Sequence, residues 1–353
     1  MSQVRTESEG FVTESRESVS KRDGKGVSMT TKLVLLGTAG APMPVAGREG
    51  ICSALVVDER IFLIDCGRGS PSAFAAAGLD FARLEAIFLT HLHVDHVGDL
   101  AGMLLYPWGI RFNDDGPLPP IRVYGPRSPE VAPAGDAAFH RRTTVHPERP
   151  FPGVTDLVES ILAGYAYHLN VMPLDWHMPD PGVLVRAIDI SVPAPVAGAF
   201  GPPISVFEDG IVRVTAVPVT HGHAHPALAY RFDTPDSSVI FSGDTTVNED
   251  LIAFAQDAEI LVHQVADLEY LERHGLTGAA LQRMAELHTN VTEVGDVAER
   301  AHVHELILNH YIPAEPDAIS DAEWAERARK GFSGTTIAGC DGMSRVVTRV
   351  PRG

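Results

Sequence analysis

The heptapeptide Thr90-His91-Leu92-His93-Val94-Asp95-His96 constrains this chain more than any other stretch. It follows the apolar run Leu84-Glu85-Ala86-Ile87-Phe88-Leu89, which has the length of a strand. It precedes Val97-Gly98-Asp99-Leu100-Ala101-Gly102, which reads as a helix start. Metal-binding side chains of two kinds are thereby delivered at one strand end. Imidazole nitrogens suit zinc and iron, and a carboxylate among them can hold a second divalent ion. A polar loop with scattered histidines is the bland alternative, and for one or two histidines it wins. Three histidines and an aspartate within residues 91–96 defeat it. The chain reads as a metalloenzyme.

At 353 residues the chain has room for two domains, yet α/β folds of ~200–250 residues are often single units. No apolar run approaches the ~18 residues of a membrane span. The opening residues Met1 to Ser8 lack the apolar centre of a secretion signal, so a cytoplasmic address is expected. Cys52, Cys66 and Cys340 form no paired spacing and read as reduced thiols, small buried hydrophobes rather than ligands. The formal charge of −18 weighs against RNA, because a protein that grips phosphates usually presents a basic surface.

Residues 1–28 are rich in Ser, Glu, Lys, Arg and Gly, and are expected to form a disordered tail. Met29 stands before the first convincing strand and is a possible alternative start; residues 29–353 are expected to form one catalytic domain. Order begins with Lys32-Leu33-Val34-Leu35-Leu36 and the turn Gly37-Thr38-Ala39-Gly40. No Lys-Ser/Thr pair follows that turn, which argues against a nucleotide loop. Residues 53–57 and 61–67 read as an antiparallel pair, residues 70–79 as a helix and residues 121–124 as a strand. Residues 127–205, rich in Pro, Gly and His with one helix over 156–167, read as an insertion that covers the mouth of a site. The core resumes at residues 211–219, which pair with 227–233 and lead to a strand at 238–242. Helices near 249–257 and 291–302 then alternate with strands at 259–263 and 305–309. The pattern suggests two sheets covered by helices.

More candidate ligands follow apolar runs downstream. His221 comes after Val217-Pro218-Val219-Thr220, Asp244 ends Ile240-Phe241-Ser242-Gly243-Asp244, and His310 ends Leu306-Ile307-Leu308-Asn309-His310. Singly each reads as a turn residue. Together with the 91–96 loop they read as a set presented at one sheet edge. His221-Gly222-His223-Ala224-His225 offers three choices of histidine, and His221 is favoured because it directly follows the strand. His223 and His225 then read as rim residues that contact substrate, or as exposed side chains.

On these residues, over nearly all of 32–345, the chain resembles the metallo-β-lactamase superfamily. Gly37-Thr38 and Ile64-Asp65-Cys66-Gly67 match its first elements, the 90–96 heptapeptide matches its main metal motif, and the later ligands occur in order. The resemblance implies an α/β fold of four layers, an αββα sandwich. It implies that His91, His93 and His221 bind one divalent metal ion and Asp95, His96 and His310 a second, with Asp244 bridging them. Zinc is the first expectation, with iron or manganese as alternatives. Asp65 reads as a group that orients a ligand histidine rather than as a ligand. Homodimers are common among such relatives.

A metal pair lowers the pKa of a bridging water, and the hydroxide attacks an electrophilic centre. The leaving group then needs an acid. His288, in Leu287-His288-Thr289-Asn290, is the candidate acid or oxyanion donor, and with Asp95 makes up the candidate catalytic pair. The plainer reading of His288 is a cap on the helix that follows. This segment resembles the His-Ser/Thr element of the ribonuclease Z-like and arylsulfatase-like branch. In ribonuclease Z a glutamate keeps that histidine protonated, and here the matching position is Gln264. A neutral amide orients the ring without raising its pKa. With no clear basic arm in 127–205, the leading expectation is a hydrolase of a small ester (sulfate ester, phosphodiester, carboxylic ester or lactone). A ribonuclease Z-type tRNA 3′-processing endonuclease is the alternative. A flavo-diiron redox enzyme of the same fold is disfavoured by His93, where those proteins carry glutamate.

Overall fold

Consecutive residues in the first strands face two different cores. In β1 (Thr31–Gly37), Leu33 and Leu35 enter one apolar cluster while Val34 and Leu36 enter another. In β3 (Arg60–Ile64), Phe62 and Ile64 divide from Ile61 and Leu63 in the same way. Strands buried on both faces need apolar residues without a polar alternation, which is the pattern these runs carry. The computed structural model describes residues 30–113, 116–129, 144–176, 178–193 and 201–349. The expected tail of residues 1–28 lies outside them.

The chain continues through β2 (Cys52–Val57), β4 (Leu84–Phe88), the short pair β5 (Phe112–Asn113) and β6 (Gly116–Pro117), β7 (Ile121–Pro126) and β8 (Val185–Ile190). The second half supplies β9 (Ile204–Glu208), β10 (Arg213–Val219), β11 (Ala227–Thr234), β12 (Ser237–Phe241), β13 (Ile260–Ala266), β14 (Glu305–Ile312), β15 (Thr335–Ala338) and β16 (Ser344–Val347). One sheet has the order β16-β1-β2-β3-β4-β7-β8, and the other β15-β14-β13-β12-β11-β10-β9. In the first sheet the pairs β3–β4, β4–β7 and β7–β8 are parallel, and in the second β12–β13, β13–β14 and β14–β15 are. The last strand crosses back to pair with β1 and ties the two halves together.

The sheets meet over an aromatic core. The Phe232 ring lies 5.1 Å from Phe88, edge to face, and 6.3 Å from Phe62. Helices Ser70–Ala76, Leu100–Leu105 and Val154–Gly164 cover the outer face of the first sheet through Phe74, Met103, Leu104 and Val158. Helices Glu249–Phe254, Val294–Arg300 and Asp321–Ala328 cover the second through Leu251, Val297 and Trp324. Asn248 and Ser320 start two of these by accepting the backbone N–H of Leu251 and Glu323. The result is the four-layer αββα sandwich.

Residues 127–205 depart from a plain insertion. Among their described residues, β8 closes the edge of the first sheet beside β7, and the segment's end enters β9, the edge of the second. β8 reads VRAIDI and is only partly buried, so its apolar signal is that of an edge strand. The helical stretch is two helices, Val154–Gly164 and Ala166–Trp176. The second was illegible because Pro173 sits inside it and its apolar residues do not gather on one face. Cys52 and Cys66 are buried as expected, but Cys340 is exposed in the turn between β15 and β16, where no layer covers it. Among the described residues no helix is long and apolar enough to cross a membrane.

Parallel strands place their carboxyl ends at one rim, where α/β sheets bind ligands. Asp65 follows β3, the 90–96 loop follows β4, and Asp244 follows β12. Gln264 and His310 lie near the ends of β13 and β14. Asp65 (φ 61°) and His310 (φ 47°) both hold left-handed backbone, a strain that accumulates at functional sites.

Candidate metal centre

Asp65 anchors the floor of the site. Its carboxylate accepts the backbone N–H of Thr90 at 2.8 Å, the Thr90 hydroxyl at 2.9 Å and Nδ1 of His96 at 2.8 Å. Held in this way, His96 keeps Nε2 for another partner, which is how a carboxylate commonly orients a ligand histidine. His221 is held by the same logic: its Nδ1 donates to the Leu287 carbonyl at 2.9 Å. Leu287 packs so tightly on this loop that a Cβ at Gly222 (φ 55°) would lie 2.4 Å from its side chain. Gly40 does the same for His310, where a Cβ would lie 2.7 Å from Nδ1.

The free nitrogens converge. His93 Nδ1 lies 3.0 Å from His91 Nε2 and 3.2 Å from His221 Nε2. His310 Nε2 lies 3.4 Å from Asp95 Oδ2 and 3.2 Å from Asp244 Oδ2, and His96 Nε2 lies 3.4 Å from the same Asp244 oxygen. Among the described residues four overlapping groups could hold a metal: His91–His93–His221, Asp95–His96–His310, His91–His96–Asp244 and His221–Asp244–His288. Asp244 also lies within 3.8 Å of His221 and so stands between the first two. All seven residues named from the sequence therefore meet in one place. His223 and His225 are exposed and belong to none of these groups, whereas His221 is buried among them.

The donor set fits divalent ions by a test internal to the fold. His96 Nε2 and Asp244 Oδ1 are buried without any hydrogen-bond partner. Leaving such groups unmatched is costly, and a cation among them would satisfy both. The electrostatics agree. Burial would raise the Asp244 carboxyl, but His310 and His96 outweigh it and hold it well below the usual range. Burial would raise Asp95 too, yet the hydrogen bond from His310 and the neighbouring imidazoles bring it down to about 2. Burial and the adjacent His96 push His91 well below its ordinary value, which favours a neutral ring able to offer a lone pair to a cation. His96 goes the other way: its burial is outweighed by Asp244 and Asp65.

His288 lies against this cluster, its ring 5.1 Å from His221 and 5.7 Å from His310. Gln264 Nε2 donates to the Thr245 carbonyl at 2.8 Å, which fixes the amide and turns Oε1 toward His288 Nδ1 at 3.0 Å. Nδ1 must therefore carry the proton. In the neutral ring Nε2 then holds a lone pair, and it donates only once the ring takes a second proton. Burial lowers His288 to about 3, against the pull of Asp244. Thr289 donates to the same Thr245 carbonyl at 2.9 Å, so the element is locked to the strand-end loop after β12.

A cavity of about 530 Å³ opens beside His91, His93 and His221. Phe151 and Leu157, from the segment between β7 and β8, form one wall, and Arg283 and Leu287, from the helix before His288, form another. Sequence reasoning included Thr90 as the first residue of the motif but gave it no role, and it singled out neither Phe151 nor Arg283, which nothing local marks.

A four-layer sandwich with clustered histidines and aspartates at one rim defines a class of metallohydrolase. The chain belongs to the metallo-β-lactamase superfamily, whose description its residues 47–292 match. It is a metal-dependent hydrolase acting on ester bonds. A ribonuclease Z of Mycobacterium sp. (strain KMS) is 30% identical over 309 residues, spanning 85% of this chain and 90% of that protein. A ribonuclease Z of Mycobacterium bovis (strain BCG / Pasteur 1173P2) is 28% identical over 323 residues, spanning 88% and 96%. Among solved structures, the short form of human tRNase Z shares the fold with a TM-score of 0.58 and 18% identity, covering 90% of this chain and 100% of that one.

Proposed function

We propose that the chain cleaves phosphodiesters in the manner of a ribonuclease Z, with precursor tRNA as the substrate to test first. The relatives reverse the order that the sequence suggested, in which a small ester led. The observation that carries the reading is the convergence of the two ligand groups on Asp244, with His288 beside them. His91, His93 and His221 would hold one divalent ion and Asp95, His96 and His310 the other, zinc being the first expectation. Such ions supply a water of lowered pKa and offset the charge that develops on the phosphoryl oxygens.

The chain's own residues do the rest. Asp65 and the Leu287 carbonyl fix the tautomers of His96 and His221, so the ligating nitrogens are set before substrate arrives. Asp95, aligned by His310, completes its group while ionised. His288 can serve the leaving oxygen only through Nε2, since its Nδ1–H donates to Gln264 Oε1, and it does so as an acid only after the ring takes a second proton.

One observation favours a second reading, hydrolysis of a small ester. The mouth is a compact cavity in a chain of net charge −18, with no Glu at 264 to keep His288 charged. Assay of the metal-loaded protein on unprocessed tRNA beside a panel of aryl phosphodiester, sulfate, carboxylic ester and lactone separates the two. Cleavage at the tRNA 3′ side supports the first reading. Turnover of small esters with intact tRNA overturns it in favour of the second.

A further inference from the structure

The cavity at the mouth is lopsided. It is lined by His91, His93 and His221 and by none of Asp95, His96 or His310. A substrate whose ester group sits on the cluster would therefore place one substituent in this cavity and leave the other outside it. At about 530 Å³ the space holds one ring-sized substituent with room to spare, and falls within the usual range of ligand pockets.

The walls say what kind of substituent. Pro126, Pro129, Pro150 and Pro152 line the cavity with Phe151. These are flat or rigid apolar surfaces that lose little conformational freedom on binding. They suit a planar ring better than a flexible alkyl chain. Two charges stand among them: Arg127, whose Nη1 donates to Ser191 Oγ at 3.4 Å, and Arg283. Arg283 is exposed on the helix Gly278–Ala285 and has no carboxylate partner among the described residues, in a chain with 46 acidic and 28 basic residues. Its neighbour Glu286 accepts instead from Gln282 at 2.9 Å. The same helix leads to Leu287, whose carbonyl holds His221, so the backbone that carries Arg283 is tied to the cluster.

We infer that this cavity is a specificity pocket for an ester bearing a planar aromatic or nucleobase ring with an anionic group at its edge, the ring lying against Phe151 and the anion against Arg283. The inference rests on the proposed phosphodiesterase reading, because it takes an oxyanion ester to be what the cluster holds. It adds the class of the flanking group. Recognition then depends on one ring wall and the Arg283 side of a small cationic pocket rather than on a basic track along a polyanion.

Calorimetric titration of the metal-loaded full chain with methylphosphonate, phenylphosphonate and 4-carboxyphenylphosphonate tests this without relying on turnover. The ring should tighten binding ~10-fold or more over methyl. The carboxylate should add a further ~3–5-fold. Arg283→Met should remove the carboxylate increment and keep the ring increment, and Phe151→Ala should do the reverse. Both positions are partly or fully solvent-facing, and a thermal melt of each variant identifies any folding defect; a charge-conserving Arg283→Lys should restore part of the carboxylate increment. Equal binding of all three phosphonates, or no binding, overturns the pocket even if the protein cleaves phosphodiesters. The stated pattern in a protein that cleaves no phosphodiester would instead overturn the activity and leave the pocket standing.

Discussion

The floor and the mouth of this site are built by different means. On the floor, Asp65, Thr90, His96, Asp244 and His310 are all buried, and Asp65 alone accepts bonds from Thr90 and His96. At the mouth, His93, His223, His225 and Arg283 are exposed, and the walls come from prolines and Phe151 in the segment after β7. The floor hangs from strand ends clamped between two apolar layers, so its geometry is over-determined. The mouth rests on loops and on a helix, Gly278–Ala285, with no buried residue. Chemistry is set where packing is tight, and substrate choice where it is loose.

If that division holds, substitutions should sort by depth. His288→Ala should lower turnover by ~10²–10⁴-fold with metal content unchanged. The loss should be larger for poor leaving groups, and equal losses across leaving groups would reassign His288 to positioning. Asp65→Asn should come next, weakening metal affinity by ~10–100-fold through the freed His96 ring, as read by competition with a chelator. The double change His223→Ala and His225→Ala should leave metal content intact, because neither histidine belongs to a ligand group. Its effect should be confined to KM, and loss of metal would move these histidines into the centre. Smallest of all, a chain beginning at Met29 should keep its thermal midpoint and turnover. A large drop in either would show that residues 1–28 dock on the folded chain.

The same division explains what the sequence revealed. The floor was legible because each ligand directly follows an apolar run, and a strand end is visible from composition alone. His91 and Asp244 could be placed at a common rim before any fold was seen. Asp65 was legible in role through the family resemblance, which makes it a group that orients a ligand histidine, and it does accept from His96 Nδ1. The mouth was not. Phe151 sits in a Pro-rich stretch whose order comes from packing on the sheet edge, and β8 is too exposed to read as a strand. Arg283 looks like any solvated residue of a helix until its place in the lining of the cavity that reaches His221 is seen, with no carboxylate partner among the described residues. Residues 127–205 read from the sequence as a covering insertion; among their described residues they supply β8 to the edge of one sheet and enter β9 at the edge of the other.

The central claim is that the floor is one shared centre in which Asp244 joins two ligand groups. Elemental analysis of the purified protein beside the Asp244→Ala variant tests it most directly, with a thermal melt to confirm that the variant folds. The account predicts about two metal equivalents per chain in the parent protein, as a two-metal site requires, and a clear loss of metal with turnover abolished in the variant. An Asp244→Ala protein that folds and still holds two tightly bound metal ions would contradict it.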